Sequence, residues 1–385
     1  MFEIEAFMHE HPDWDTKLTQ EPYCLQISYD GDYVLLRYNQ IASDLSNPIV
    51  QQARGIIFNR YTLKPVCVPF FKFFNCQEPN AAEIDWSTAF VTEKVDGSLI
   101  KVWHDREWHI STNGTIDASK AELNNIKVAT FRDYFDIALN NYYQAPEDFF
   151  NNLNAGYTYM FELVGPYHRI VIPYEKPALY FLGARDNTSG KELVCTAENA
   201  CALGVERFDR PTIFPLNSLD ACVSLAETYS WDKEGFVVAD EHCNRVKIKS
   251  PAYVLAHFMR NNNVITRKHL INVILLNEVE EFICYASEYK DELLKYKSIM
   301  DSYLRIGNNL ITSCKKMRIL PKKKYAEIVK TFPGIFQGML FYCYDHESTA
   351  EQYTANWSVY KWEIYIDKME QFILDTFGSS YVNIL

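Results

Sequence analysis

The sequence predicts an α+β protein in which an antiparallel-sheet region is followed by an all-helical one. Three observations carry this. From about residue 20 to 115 the chain runs in short stretches with the period of half-buried strands, such as Tyr33-Val34-Leu35-Leu36-Arg37-Tyr38 and Gly55-Ile56-Ile57-Phe58. Similar stretches return at 157–163, 169–172 and 178–182, then as a hairpin of Phe236–Ala239 with Arg245–Ile248. Ser250-Pro251 then reads as an N-cap with proline at the first helical position, and the pattern beyond is mainly helical.

Between the strands, residues 118–141 read as a helix, with apolar positions at Leu123, Ile126, Ala129, Phe131, Tyr134 and Phe135. Shorter helices are expected near 196–204 and 218–230. In the last third, Ile271, Ile274, Leu275, Val279 and Phe282 form one apolar stripe, the mark of core packing. The expected domains are 1–254 and 255–385.

Composition narrows the class. The 385 residues suffice for one large or two ordinary domains, and no apolar run approaches the length of a membrane span. The acidic start, Met1-Phe2-Glu3-Ile4-Glu5, lacks the basic-then-apolar pattern of a signal peptide, so a cytoplasmic protein is expected. The ten cysteines include no Cys-x-x-Cys pair, which argues against both a zinc site and a disulfide framework. His242-Cys243 sits in a hairpin turn without further ligands and reads as incidental. The net charge of −12 is awkward for a nucleic-acid binder, but charge is unevenly spread. Lys315, Lys316, Arg318, Lys322, Lys323 and Lys324 form a basic run, readable equally as a solvated helix-loop face or as an RNA contact.

The chemistry centres on Glu93-Lys94-Val95-Asp96-Gly97-Ser98, which places an amine at a tight loop between two strands. Freed of its proton, a lysine amine attacks electrophiles such as a nucleotide α-phosphorus; neighbouring cations and desolvation favour the neutral form. Asp96-Gly97 supplies a turn that lets backbone approach a ligand closely. By itself the motif is weak; its company gives it weight. Upstream stand Ala53-Arg54-Gly55 and Lys72-Phe73-Phe74-Asn75, and downstream Phe161-Glu162-Leu163-Val164-Gly165-Pro166. Then follow Glu234-Gly235-Phe236-Val237-Val238 and Val246-Lys247-Ile248-Lys249-Ser250. Lys247 and Lys249, two apart on a strand, point to one face and suit an α-phosphate. Glu234, at the end of the neighbouring strand, suits a divalent metal.

In order and spacing this set resembles the covalent nucleotidyltransferases, the ATP-dependent polynucleotide ligases and RNA capping enzymes. Within them it is most similar to the RNA ligase 1 family, typified by the bacteriophage tRNA-repair ligase. The resemblance covers roughly residues 35 to 260. It implies an antiparallel-sheet nucleotidyltransferase domain, ATP-grasp-like, followed by a helical domain linked to tRNA specificity. It implies ATP with Mg²⁺, or Mn²⁺, and RNA ends bearing a 5′-phosphate and a 3′-hydroxyl, such as cleaved tRNA. A separate end-healing kinase-phosphatase and, for a viral protein, the host cytoplasm go with that picture.

By the same resemblance Lys94 is the nucleophile that carries AMP, with Lys247, Lys249 and Glu234 catalytic beside it. Glu162 contacts ribose and metal, and Arg54 and Lys72 contact phosphates. Glu93, Asp96, Gly97 and Gly235 belong to the nucleotide site. Phe74 either packs on the nucleotide or is core, and Tyr253 matches a position that binds nucleotide phosphates. Two positions depart from the family pattern: Asn113 stands where relatives often carry a basic residue before the glycine, and His168 where some have Asn. Two other readings stay open. One is a different lysyl-nucleotidyltransferase, a DNA ligase or capping enzyme, against which the missing β-barrel after Lys249 counts. The other is a non-catalytic RNA-binding protein, against which the retained Lys94, Glu162, Glu234, Lys247 and Lys249 count.

Overall fold

A computed structural model describes residues 1–40, 42–123, 125–258, 265–346 and 348–377. The chain forms two compact units, Met1–Arg260 and Asn261–Leu385.

The strands of the first unit are β1 (Gln26–Asp30), β2 (Tyr33–Arg37), β3 (Arg54–Asn59), β4 (Pro65–Cys67), β5 (Phe74–Asn75), β6 (Phe90–Glu93) and β7 (Ser98–Asp105). They continue with β8 (Glu107–Thr112), β9 (Tyr157–Val164), β10 (Ala178–Asp186), β11 (Glu192–Val194), β12 (Ile213–Phe214), β13 (Gly235–Ala239) and β14 (Arg245–Lys249). Its helices are α1 (Glu3–Glu10), α2 (Trp14–Leu18), α3 (Pro48–Gln52), α4 (Phe131–Leu139), α5 (Pro146–Asn151), α6 (Ala197–Ala202), α7 (Leu219–Glu227) and α8 (Pro251–Phe258). Three sheets result, ordered β1-β2-β3-β4, β11-β10-β9-β7-β8 and β12-β6-β13-β14-β5. All pairings are antiparallel except β14 with β5.

Strand alternation decides the layers. In the first sheet Val34, Leu36, Ile56 and Phe58 pack under Ile4 and Met8 of α1 and Val50 of α3. On the opposite face Tyr33, Leu35 and Ile57 meet Trp103 of β7, so this sheet is buried on both sides. The second sheet sends Ile100, Val102, Phe161 and Leu163 toward Phe135 of α4 and Phe149 of α5. The third sends Val91, Phe236, Val238, Val246 and Ile248 toward Cys222 and Ala226 of α7. The unspent faces of the second and third sheets line a cleft.

The second unit is helical in its described residues: α9 (Arg267–Leu275), α10 (Val279–Tyr285), α11 (Lys290–Cys314), α12 (Lys322–Val329), α13 (Gly334–Asp345), α14 (Ala350–Thr354) and α15 (Val359–Phe377). Tyr303 of α11 anchors it, stacked on Phe336 at 5.2 Å and edge-on to Trp362 at 6.0 Å. Among the described residues no helix is long and apolar enough to cross a membrane.

Several expected elements differ. The helix expected over 118–141 is a short 3₁₀ turn, Ala118–Lys120, then a loop, then α4 from Phe131. Thr130 and Asp133 form a reciprocal capping box that starts the helix there, and Leu123 N–H donates to the Ala129 carbonyl across the loop. Ile126, taken as apolar helix face, is exposed. The strand expected at 169–172 is irregular, because its backbone N–H groups serve a side chain described below. The stripe from Ile271 to Phe282 is broken between α9 and α10 by Asn277, at φ 54°, although Ile271, Ile274, Val279 and Phe282 are all buried. α8 belongs to the first unit.

Candidate active site

The site is built where the chain passes from the third sheet to the second. β6 ends at Glu93, and Lys94 N–H still donates to the Gly235 carbonyl of β13 at 2.8 Å. Four residues later the chain enters β7 of the second sheet at Ser98. Lys94 therefore stands at the fork between two sheets.

This crossover is pinned from below. The Asp96 carboxylate is buried and accepts from Val171 N–H at 2.8 Å and Ile172 N–H at 2.7 Å through Oδ2. Its Oδ1 accepts from the Tyr253 hydroxyl of α8 at 2.7 Å. Gly97 follows because a Cβ there would stand 2.5 Å from the Leu163 carbonyl oxygen of β9. Gly235 has φ 137°, and a Cβ would overlap the Ile248 carbonyl of β14.

The Lys94 ammonium meets Glu234 Oε1 at 2.8 Å; their side chains are 22% and 5% exposed. Among the described residues, then, its immediate partner is a carboxylate, where the sequence reading set it beside cations. Burial raises the Glu234 carboxyl, opposed by Lys94 and then Lys249. Glu162, beside Leu99 in the β7–β9 register, is pushed up to about 8 by burial, opposed first by Lys94. Two carboxyl groups thus flank one amine in a poorly solvated place, where perturbed groups gather at functional sites.

From Lys94 a cavity of about 290 Å³ runs between the sheets, with Glu93, Gly97, Glu162 and Arg54 on its walls. Its apolar lining comes from Phe90 and Val237 of the third sheet, Leu182 of the second, and Phe70 and Phe73 of the connecting segment. Phe90 to Lys94 is four residues of nearly extended chain, about 13 Å, the reach of a nucleoside and its first phosphate. At the end away from Lys94 the sheets are clamped by a buried triad. Glu192 of β11 accepts from Arg185 of β10 at 2.6 Å and from Arg245 of β14. Arg245 also lies over the Phe70 ring at 4.3 Å and lines the cavity.

Of the residues expected at the site, Lys94, Glu93, Gly97, Glu162 and Arg54 share this cavity, and Glu234 touches Lys94. Lys249 is paired with Gly235 and Lys247 with Val237, on the face of β14 that also carries Arg245. The other expected residues are placed off the cavity wall. Asp96 and Tyr253 are hydrogen-bonded to each other beneath the crossover. Gly235 serves strand packing. Phe74 is buried under Lys72, whose ammonium lies 5.0 Å from its ring, and the cavity takes Phe70 and Phe73 instead. Lys72 itself is held over Phe74 and Tyr38 rather than on the cavity wall. Arg245 was missed, although the alternation Arg245-x-Lys247-x-Lys249 carried the signal. His168 packs on Phe131, ring centroids 5.1 Å apart. In the second unit Lys315, Lys316, Lys322, Lys323 and Lys324 are exposed, Arg318 is partly so, and Lys322 is paired with Asp345 at 2.7 Å.

A family model described as RNA ligase matches residues 52–253, just over half of the chain. A protein of Autographa californica nuclear polyhedrosis virus, named as a bifunctional polynucleotide kinase/RNA ligase, is 28% identical over 322 residues, 79% of this chain and 44% of its own. An RNA ligase of Rhodothermus phage RM378 is 30% identical over 256 residues, 58% of this chain and 57% of its own. A Thermovibrio ammonificans protein named as an RNA ligase is 27% identical over 325 residues, 78% of each chain. The chain thus spans about half the length of the first two of these relatives.

Replacing Asp96 by Ala leaves two backbone N–H groups and a hydroxyl unsatisfied in the interior, so a loss of about 3 kcal/mol or more is expected in denaturant unfolding. Tyr253→Phe removes one bond to the carboxylate and should cost about 1.5–3 kcal/mol. A Tyr253→Phe protein of unchanged stability would contradict the scaffold role. Glu162 holds its proton up to about 8 in the folded chain against 4.5 ordinarily. The folded state then binds more protons, and stability falls as pH rises between those values. Glu162→Gln should flatten that part of the thermal-midpoint profile; an unchanged slope would refute the assignment.

Proposed function

We propose, for a chain that belongs to the RNA ligase family, that it is an ATP-dependent RNA ligase working through an adenylate on Lys94. The observation that carries this is a lysine amine on the wall of a cavity of about 290 Å³ between two sheets, 2.8 Å from a buried carboxylate.

The Lys94 amine, its proton passed to the adjacent Glu234 carboxylate, attacks the α-phosphorus of ATP. An N–P bond forms, the α–β phosphoanhydride breaks, and pyrophosphate leaves. The Lys247 and Lys249 face of β14 offsets charge developing at phosphorus. AMP then passes from Lys94 to the 5′-phosphate of an RNA end. Finally the 3′-hydroxyl of a second end attacks that phosphate, closing the phosphodiester and releasing AMP. Covalent catalysis thereby divides one difficult condensation into activated steps.

Glu162 and Glu234 are hard oxygen donors beside the place a triphosphate would occupy, a set that fits Mg²⁺ or Mn²⁺. Among the described residues no group of three or more possible ligands gathers, so the remaining positions would fall to phosphate oxygens and water. When bound, the ion neutralises and orients the polyphosphate.

The partner in this reading is RNA with 5′-phosphate and 3′-hydroxyl ends, cleaved tRNA in a repair setting, in the cytoplasm. The first unit is the adenylyltransferase domain and the helical unit contributes RNA specificity. One relative's name couples a polynucleotide kinase to the ligase; for this chain we place end healing in a separate enzyme. The exposed Lys315, Lys316, Lys323 and Lys324 are the candidate backbone contacts.

With α-labelled ATP and Mg²⁺, after pyrophosphate has stripped any adenylate already present, the protein should show a labelled band on a denaturing gel. Lys94→Ala should abolish it while remaining folded. Label retained by the variant would remove Lys94 as nucleophile. No label from the folded wild-type protein, with other metals and GTP also tried, would favour a non-catalytic RNA-binding role. Neutralising Lys323 and Lys324 together should weaken single-stranded RNA binding and flatten log K against log salt by about 0.7 per lost contact. Unchanged binding would leave those lysines as a solvated face.

A further inference from the structure

The helical unit carries a set of aromatic and basic side chains that the chemistry at Lys94 does not use. The 3₁₀ turn Lys315–Ile319 and the start of α12 bring the basic run to the surface, with Lys315, Lys316, Lys323 and Lys324 exposed. Four contacts fix this segment against α13. The Tyr325 hydroxyl donates to the Leu340 carbonyl at 2.9 Å, and the Tyr344 hydroxyl to the Leu320 carbonyl at 3.0 Å. Lys322 pairs with Asp345 at 2.7 Å, and Arg318 Nη2 donates to the His346 carbonyl at 3.5 Å. Arg318 and Lys322 thus complete the C-terminal end of α13, where cations are favoured. The four exposed lysines ride on the segment that those contacts hold in place.

From the same end of α13 a row of rings begins. Tyr342, 40% exposed, and the exposed His346 four residues on have centroids 4.6 Å apart. Tyr342 lies 5.3 Å from Tyr353 of α14, and Tyr353 lies 5.4 Å from Trp357. The row closes on Lys361 of α15, whose ammonium is 4.1 Å from the Trp357 ring centroid. Its inner members are braced. Trp357 is buried, and the Tyr353 hydroxyl rests against α13, where a Cβ at Gly338 would stand 3.0 Å from it. Its outer members, Tyr342 and His346, reach solvent next to the basic segment.

Rings braced from behind, with fixed cations on one flank, match the two recurring features of an unpaired nucleic-acid strand. Its bases offer flat faces that stack on aromatic rings, and its phosphates require positive charge. A duplex offers the phosphates but keeps its base faces covered by their neighbours. An apolar protein surface laid on the same rings would leave the lysines without counter-charge.

We propose that Tyr342 and His346 form a base-stacking platform for single-stranded RNA, with Lys315, Lys316, Lys323 and Lys324 holding phosphates on its flank. The proposal rests on the ligase reading for the kind of nucleic acid. It goes beyond that reading in naming unpaired bases as what the helical unit contacts.

The test is binding by the full chain without ATP, followed by fluorescence anisotropy. The probes are a single-stranded RNA of about ten nucleotides, its blunt duplex, and an abasic strand of the same length. Tyr342→Ala should weaken single-stranded RNA about fivefold or more, with the slope of log K against log salt unchanged. His346→Ala should act in the same direction, and Tyr342→Phe should keep wild-type affinity. The wild-type protein should bind the abasic strand more weakly than RNA, and Tyr342→Ala should make no further difference there. Equal affinity of wild type and Tyr342→Ala for the RNA refutes the platform, as does equal affinity of the wild type for strand and duplex. An equal loss on base-bearing and abasic strands also refutes it, because Tyr342 then acts only through the fold. Sedimentation velocity checks one other occupant: a dimer that Tyr342→Ala dissociates gives the rings to a second copy of the chain and overturns the proposal. Lysyl-AMP formation by the wild type needs no RNA and is scored separately. A protein that takes no label but binds RNA in a Tyr342-dependent way keeps the platform and loses the ligase reading.

Discussion

The buried Asp96 carboxylate is the contact on which the site depends. Lys94 lies on a four-residue crossover between sheets, a segment without a strand ladder of its own. Three hydrogen bonds to Asp96, from Val171, Ile172 and Tyr253, replace that ladder. They tie together three parts of the first unit distant in sequence, and each donor is a group that would otherwise be buried unsatisfied. A carboxylate accepting backbone N–H groups is among the stronger neutral-donor arrangements, which suits a crossover that has to hold Lys94 in a defined place.

Around this pin the cleft has a polarity. Lys94, Glu93, Glu162 and Arg54 bring charge to its walls, and Arg245, which also lines it, is tied through Glu192 to Arg185, bridging the two sheets. A buried triad of this kind contributes little net stability compared with apolar packing, but breaking it leaves an uncompensated charge. It therefore sets the spacing of the sheets, and with it the width of the slot between Leu182 and Val237. The same economy of placement appears at Glu234, which is buried and paired with Lys94.

Local pattern was reliable where one face of a strand or helix met one core. The alternation in Val34-Leu35-Leu36, and that in Phe236–Ala239 with Arg245–Ile248, lie in strands with the expected faces. It misled where a side chain supplied the competing interaction. Thr130 and Asp133 begin α4 well after the apolar periodicity starts, their capping box satisfying N–H groups that have no i−4 carbonyl at a helix start. The apolar stretch Ile170-Val171-Ile172 looks like a strand, yet two of its N–H groups are taken by Asp96 rather than by a neighbouring strand.

By itself the sequence determined the α+β order, the motif lysine Lys94 with Glu162 and Glu234 in its company, and the paired lysines of β14. Those features are written in residue type and short spacing. Tertiary structure decided which of the motif residues face the cleft. Asp96, Tyr253 and Phe74 turn inward as support, while Phe70, Phe73 and Arg245 turn toward the cavity. It also brought the buried Lys101 of β7 onto the Gly55 carbonyl of β3. The physical reason is that periodicity assigns a side chain to a face of its own strand, whereas what lies opposite that face is set by how three sheets pack, through contacts between residues tens to more than a hundred positions apart.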